Sequence, residues 1–164
     1  MAVYYLDASA IVKRYRTERG TDVIDELLNR PVSTDRFYSS YLIVLEVTSA
    51  ILRLTAGAQL TPLASQRTLA QFSRDLEQLI QLWPLDAQAI AQAVEVVTQY
   101  LLRSADAIHL ATALQIADLT DLRATVMVSS DQELAAAAER AGLKVVNPEA
   151  VDAMSILANI RQGS

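Results

Sequence analysis

The feature that most constrains this chain is the alternation of short apolar runs with helical patterns along its length. "VYYL" at residues 3–6 gives way to Ile11, Val12 and Tyr15 at helical spacing, so a strand hands over to a helix spanning about 8–16. "RFYSS" (36–40) reads as a second strand, "LWPL" (82–85) as a third, "ATVMVSS" (124–130) as the clearest and "LKVV" (143–146) as the last. Between them, "TDVIDELLNR" (21–30) puts Val23, Ile24, Leu27 and Leu28 on one side, and Pro31 stops it. The next helix, about 42–54, is apolar nearly all round and is expected to be buried, with Gly57 closing it. Thr61 as cap and Pro62 at the first helical position open a helix over 61–80, with a stripe of Leu69, Phe72, Leu76, Leu79 and Ile80. Asp86 caps "AQAIAQAVEVVTQYLL", Arg103 and Ser104 interrupt the pattern, and "DAIHLATALQIA" follows. Asp131 begins "DQELAAAAERAG", which Gly142 stops, and Pro148 opens a terminal helix. This alternation predicts an α/β fold, a central parallel sheet of about five short strands covered by helices on both faces.

A chain of 164 residues reads as a single domain, 1–164, long enough to build a core without staples. It has no cysteine, which excludes a disulfide framework and a Cys-based zinc site and fits a reducing compartment. The longest apolar stretch, "YLIVLEVTSAILRL", is interrupted by Glu46 and Thr48 and falls short of the roughly 20 residues a bilayer span needs. The first residues lack the charged start and cleavage pattern of a signal peptide, so a soluble, cytoplasmic protein is expected, with no membrane partner. The net charge of −5 and the pI near 4.8 argue against a general nucleic-acid binder.

Acidic charge gathered in one pocket would instead ask for cations, and four acids stand apart from the outer faces. Asp7 ends the first strand, and Asp131 follows "ATVMVSS". Asp106 opens a helix that continues Ala107, Ile108, Leu110, Ala111, and Glu46 sits inside an apolar helix where a charge is costly unless compensated. In a parallel sheet the strand ends and helix starts converge at one edge, where open α/β folds place their ligands. Like charges there repel unless cations bind or pKa values shift. An all-oxygen donor set with one histidine in the chain suits Mg²⁺ or Mn²⁺. Each acid also has a plainer role: Asp7 as an N-cap, Asp131 beside a Ser130–Glu133 capping-box pattern, Asp106 as a favourable charge in a first helical turn, and Glu46 as the partner of an arginine.

Taken together, "YLDASAIVKRY", Glu46 in a helix after a short strand, "RSADAIHLATA" and "VSSDQELAAAAERAGLKVVNP" closely resemble the PIN-domain ribonucleases. Among these the match is to the VapC-like toxins of type II toxin–antitoxin pairs. The resemblance spans nearly the whole chain and is most specific around Asp106. It implies that Asp7, Glu46, Asp106 and Asp131 form the catalytic quartet, with Asp7, Asp106 and Asp131 as metal ligands. Ser9 matches the family's hydroxyl residue beside the first aspartate, and Ser129 would stand behind the acids. The resemblance further implies one or two Mg²⁺ or Mn²⁺ ions, an RNA substrate cut by activated water to leave a 5′-phosphate and a 3′-hydroxyl, a VapB-like antitoxin partner and a homodimer. The exposed apolar surface for such contacts is expected on the helices at 21–30 and 61–80.

Lys13, Arg14, Arg16 and Arg19, just after Asp7, and Arg103, before Asp106, are candidates to guide RNA phosphates. His109 lies one turn after Asp106 and could touch the site, although such a histidine is more often packed or at the surface. Trp83 reads as a core residue rather than a base-stacking platform. A haloacid-dehalogenase-type phosphatase would need an acid two residues after Asp7, where Ser9 stands. A housekeeping RNase of the same fold and an inactive RNA- or protein-binding scaffold remain the alternatives, though a scaffold would be expected to have lost some of the four acids.

Overall fold

The computed structural model describes residues 2–122 and 124–163. Five strands, β1 (Val3–Leu6), β2 (Arg36–Ser40), β3 (Ile80–Trp83), β4 (Thr125–Val128) and β5 (Lys144–Val146), form one sheet in the order β3-β2-β1-β4-β5. Every pairing is parallel. The helices are α1 (Ala8–Ile11), α2 (Thr21–Asn29), α3 (Leu42–Ala56), α4 (Pro62–Gln78), α5 (Ala87–Tyr100), α6 (Ser104–Leu119), α7 (Gln132–Arg140) and α8 (Ala153–Gln162). They cover both faces, the α/β architecture that the strand–helix alternation requires.

The two-residue period of β1 sorts the layers. Tyr4 and Leu6 enter the core formed with α2, α3 and α8, with Phe72 of α4 and Ile11 of α1 in the same cluster. Val3 and Tyr5 enter the other, with α5, α6 and α7. Both β1 and β4 are buried along their whole length, so each needs apolar side chains on both faces, and VYYL and TVMV supply them. Gly20 shows why the chain needs a glycine at one position. Its φ is +89°, and a Cβ there would lie 2.7 Å from the Pro148 carbonyl oxygen.

The structure moves several boundaries. The first helix is a four-residue α-turn followed by a 3₁₀ turn at Val12–Arg14, not a helix to residue 16. The Thr21 hydroxyl captures the free carbonyls of Lys13 and Arg16 and ends it. Strand β3 begins at Ile80, which pairs with Phe37 instead of extending α4, and it stops before Pro84, which has no N–H for the ladder. Leu101 ends α5 in the left-handed region at φ 57°. The terminal helix begins at Ala153, five residues after Pro148. Ser130 does not cap α7: the Asp131 carboxylate accepts from the Leu134 N–H at 2.9 Å, and the Ser130 hydroxyl is buried with no hydrogen-bond partner among the described residues.

Helix α3 is the larger correction. Only Ile43, Val47 and Ile51 are buried, while Leu45 is 70% exposed and Leu52 also faces out. The apolar face of α2, by contrast, is consumed by the core, and Leu63 is the one large apolar side chain exposed on α4. Exposed apolar surface therefore lies on α3 and on α5, where Ile90, Val94 and Val97 form a stripe. Among the described residues, no helix is long and apolar enough to cross a membrane.

Candidate active site

The strand order reverses direction between β1 and β4, because β2 and β3 are added on one side and β4 and β5 on the other. Such a switch point leaves a crevice at the carboxyl ends of the two strands. Leu6 pairs with Val128, so Asp7 and Ser129 come next to each other one step past the ladder. Asp7 is 4% exposed and caps α1, accepting from the Ala10 N–H at 2.9 Å. A four-residue helix has no stability of its own, so this cap and the burial of Ala10 and Ile11 hold it.

The rest of the Asp7 carboxylate is held by hydroxyls. Ser9 Oγ lies 2.9 and 3.0 Å from its two oxygens, and Ser129 Oγ donates to Oδ2 at 2.9 Å. Those hydroxyls are aimed in turn by the backbone of the β4–α7 turn: the Ser130 N–H donates to Ser9 Oγ at 2.8 Å and the Asp131 N–H to Ser129 Oγ at 3.0 Å. The structure thus ties Asp7, Ser9, Ser129 and Asp131 into one hydrogen-bonded lattice across the switch point.

Glu46 and Asp106 come from opposite layers. Glu46 projects from α3, and its Oε2 meets His109 Nε2 of α6 at 2.7 Å, bridging the layers at the sheet edge. The compensating partner is thus a histidine, not an arginine. His109 is buried, and its Nδ1 lies 2.8 Å from the Tyr5 hydroxyl. Burial alone would lower its pKa, but Tyr5, Glu46 and Asp7 together raise it to about 10. Burial pushes the Asp7 carboxyl up, opposed by His109 and by the hydrogen bonds it accepts. Asp106, in the first turn of α6, is raised by burial and then by the charges of Asp131, Asp7 and Glu46, with His109 opposing. Asp106 therefore feels the charge of each of the other three acids.

No group of three or more His, Asp or Glu side chains among the described residues is gathered tightly enough to grip an ion unaided. Asp7, Asp106 and Asp131 are thus not assembled as a preformed three-ligand site, and an ion held here would be bound partly through its waters, as Mg²⁺ commonly is. The acids that repel Asp106 make an oxygen donor set that fits a partly hydrated hard cation.

A cleft of about 540 Å³ opens from Ser9 and Glu46 between α1 and α3, lined by Ala8, Val12, Leu45 and Arg53. Arg53 was not apparent as a candidate. Its only signal is that 46, 50 and 53 share a helical face. Its guanidinium donates to Ser49 Oγ at 3.1 Å and has no carboxylate partner among the described residues. Lys13 and Arg14, expected to face RNA, are engaged elsewhere. Lys13 is 3% exposed and bound to Glu18 and Glu149 at 3.1 and 2.5 Å. Arg14 is bound through Nε to the buried Asp75 at 2.7 Å. Cations already paired with acids inside the fold, Lys13 buried and Arg14 half-buried, are poorly placed to reach a phosphate. Arg16 is exposed near Glu18, and Arg103 is exposed as the N-cap of α6. Trp83 packs edge-on to Tyr38 and donates to Gln115 at 3.0 Å, a partly buried structural residue.

A doubly wound parallel sheet with a hydroxyl-lined acidic crevice at its switch point defines the class. The sequence pattern of the PIN domain matches residues 4–140. Ribonuclease VapC45 of Mycobacterium tuberculosis is 32% identical over 151 residues, 88% of this chain and 95% of that protein. The chain belongs to the PIN-domain family and is VapC-like within it. Two solved structures share the fold at lower identity. PAE2754 from Pyrobaculum aerophilum superposes with a TM-score of 0.61 at 16% identity, covering 98% of this chain and 96% of that one. VapBC2 from Rickettsia felis, bound to a DNA fragment from its promoter, gives 0.58 at 13% identity, covering 87% and 96%.

Proposed function

We propose that this chain is a metal-dependent endoribonuclease, the toxin of a toxin–antitoxin pair. The observation that supports the reading is that the Asp106 carboxyl, raised first by burial, is raised further by the charges of Asp131, Asp7 and Glu46. Asp7, Asp106 and Asp131 would hold Mg²⁺ or Mn²⁺ partly through its bound waters, with Glu46 beside them. Such an ion supplies neutralising charge for the phosphodiester and lowers the pKa of its water. The chain's own part is to keep the donors in place. Ser9 and Ser129 orient the Asp7 carboxylate, and the N-termini of α1 and α7 are each capped by an acid of the set. Water attacks, the products carry a 5′-phosphate and a 3′-hydroxyl, and no side-chain nucleophile is needed.

The name of the Mycobacterium tuberculosis relative supports RNA as substrate. The Rickettsia felis complex supports a VapB-like antitoxin. Its segment would lie in the cleft between α1 and α3, on Ala8, Val12 and Leu45, with an arginine directed at the acids, whose rigid fork suits carboxylates. A homodimer would use the α5 stripe of Ile90, Val94 and Val97, since the apolar residues of α2 are in the core. The fold would work as a single domain in the cytoplasm. The test is purified protein on structured RNA with Mn²⁺ or Mg²⁺, beside a chelator control and Asp7→Asn. Cleavage that needs metal and is lost in Asp7→Asn is expected, and undiminished cleavage in excess chelator refutes it. In the host, expression alone should arrest growth and co-expression of the adjacent small protein should restore it. Unaffected growth with well-expressed protein would favour a housekeeping RNase.

A further inference from the structure

Glu46 lies inside a helix, α3, rather than at a strand end or a helix start as the three aspartates do. It arrives on α3, and its side chain is anchored at the crevice by one contact, the 2.7 Å bond from Oε2 to His109. His109 is fixed at its other nitrogen by the Tyr5 hydroxyl at 2.8 Å, and the two rings meet edge-on at 5.8 Å. Tyr5 lies in the fully buried central strand β1. A rigid line therefore runs from the sheet through α6 to an acid on α3.

We propose that Tyr5 and His109 are positioning residues that act through Glu46, an inference that rests on the ribonuclease reading. One carboxylate oxygen of Glu46 is committed to the imidazole, which sets its direction. The other makes no hydrogen bond among the described residues and is free to accept from a water in the crevice. Glu46 is thereby an outer acceptor, and contact with an ion, direct or through water, falls to the aspartates. A histidine buried only to fill the core would not need a carboxylate from the opposite layer. His109 spans the two layers at the point where the acids meet.

His109 is the only histidine in the chain, so its imidazole ¹⁵N signals are unambiguous in the full-length protein. Glu46→Gln and Tyr5→Phe should each move the imidazole ¹⁵N signals, because each removes a hydrogen-bond partner that sets the ring's protonation and tautomer. His109→Leu should lower kcat on an RNA oligonucleotide by about 10- to 100-fold with KM for RNA unchanged, the usual cost of losing a partner behind a metal site. His109→Gln, which keeps an N–H for Glu46, should recover part of that loss. If His109→Leu does not fold, Tyr5→Phe, which removes one oxygen, should still lower kcat with unchanged KM. The inference is overturned if the imidazole signals ignore Glu46→Gln, or if the wild type cleaves RNA and these variants cleave it equally well. A wild type inert with Mn²⁺ would refute the ribonuclease reading itself, and this inference with it.

Discussion

Replacing Asp7 by asparagine keeps the side chain's shape and one acceptor oxygen while removing its charge. Oδ1 can still accept from the Ala10 N–H, so the α1 cap survives. The new amide faces Ser9 and Ser129, whose hydroxyls can rotate to accept. The lost charge is one that burial already disfavours, since the carboxyl is pushed up from its ordinary value. Gains and losses nearly cancel, and Asp7→Asn should change unfolding free energy by less than about 1 kcal/mol. Asp7→Ala differs. It removes a cap of about 1 kcal/mol, leaves the buried Ser129 hydroxyl without its acceptor at about 1 kcal/mol, and costs the half-buried Ser9 hydroxyl its acceptor at somewhat less. Relief of the buried charge offsets part of this. A net loss of about 2 kcal/mol follows, or about 4–8 °C in Tm for a chain of this size. Urea unfolding of metal-free protein, read with the cleavage assay, separates the roles: Asp7→Asn should be stable and inactive, Asp7→Ala unstable and inactive. Asp7→Asn protein that cleaves at the wild-type rate, or that is less stable than Asp7→Ala, would refute the reasoning.

Asp106→Asn should leave the Tm of metal-free protein unchanged or higher, because it removes a charge repelled by Asp131, Asp7 and Glu46. It should also shrink the Tm gain on adding Mn²⁺, and a large loss without metal would make Asp106 a structural helix-start residue. The raised His109 pKa means the folded state holds a proton that the unfolded chain releases near pH 6.5. Its stabilisation is therefore complete below about 6.5 and should fade as pH rises toward about 10, which denaturation of metal-free wild type against His109→Gln would reveal as a flatter profile in the variant. Arg53→Ala should weaken RNA binding by Asp7→Asn protein and reduce the slope of log affinity against log salt by about 1. An unchanged slope in fluorescence anisotropy would remove Arg53 from the RNA path. Leu101→Gly should raise the Tm, because Leu101 is 86% exposed at φ 57° and glycine relieves a left-handed cost of about 1 kcal/mol at little loss of contact.

The sequence alone determined what depends on near neighbours. The handover from VYYL to a helix, the Thr61 and Asp86 caps and the uninterrupted run of β4 are encoded within a few residues, and they suffice for a parallel α/β sheet with Asp7 and Asp131 at strand ends. What required the tertiary structure are pairings between distant residues. Glu46 and His109 are 63 positions apart, Arg14 and Asp75 are 61, and Lys13 and Glu149 are 136. No periodicity reports which cation a carboxylate will meet across the sheet, so Lys13 and Arg14 read as free when they are paired, and His109 as packing when it also reaches an acid. Helix α3 has the same cause. Its composition is apolar nearly all round, but one side of it borders a cleft, and only the placement of α1 beside it decides which leucines are covered. Local chemistry chooses the elements, and the assembled sheet chooses their partners.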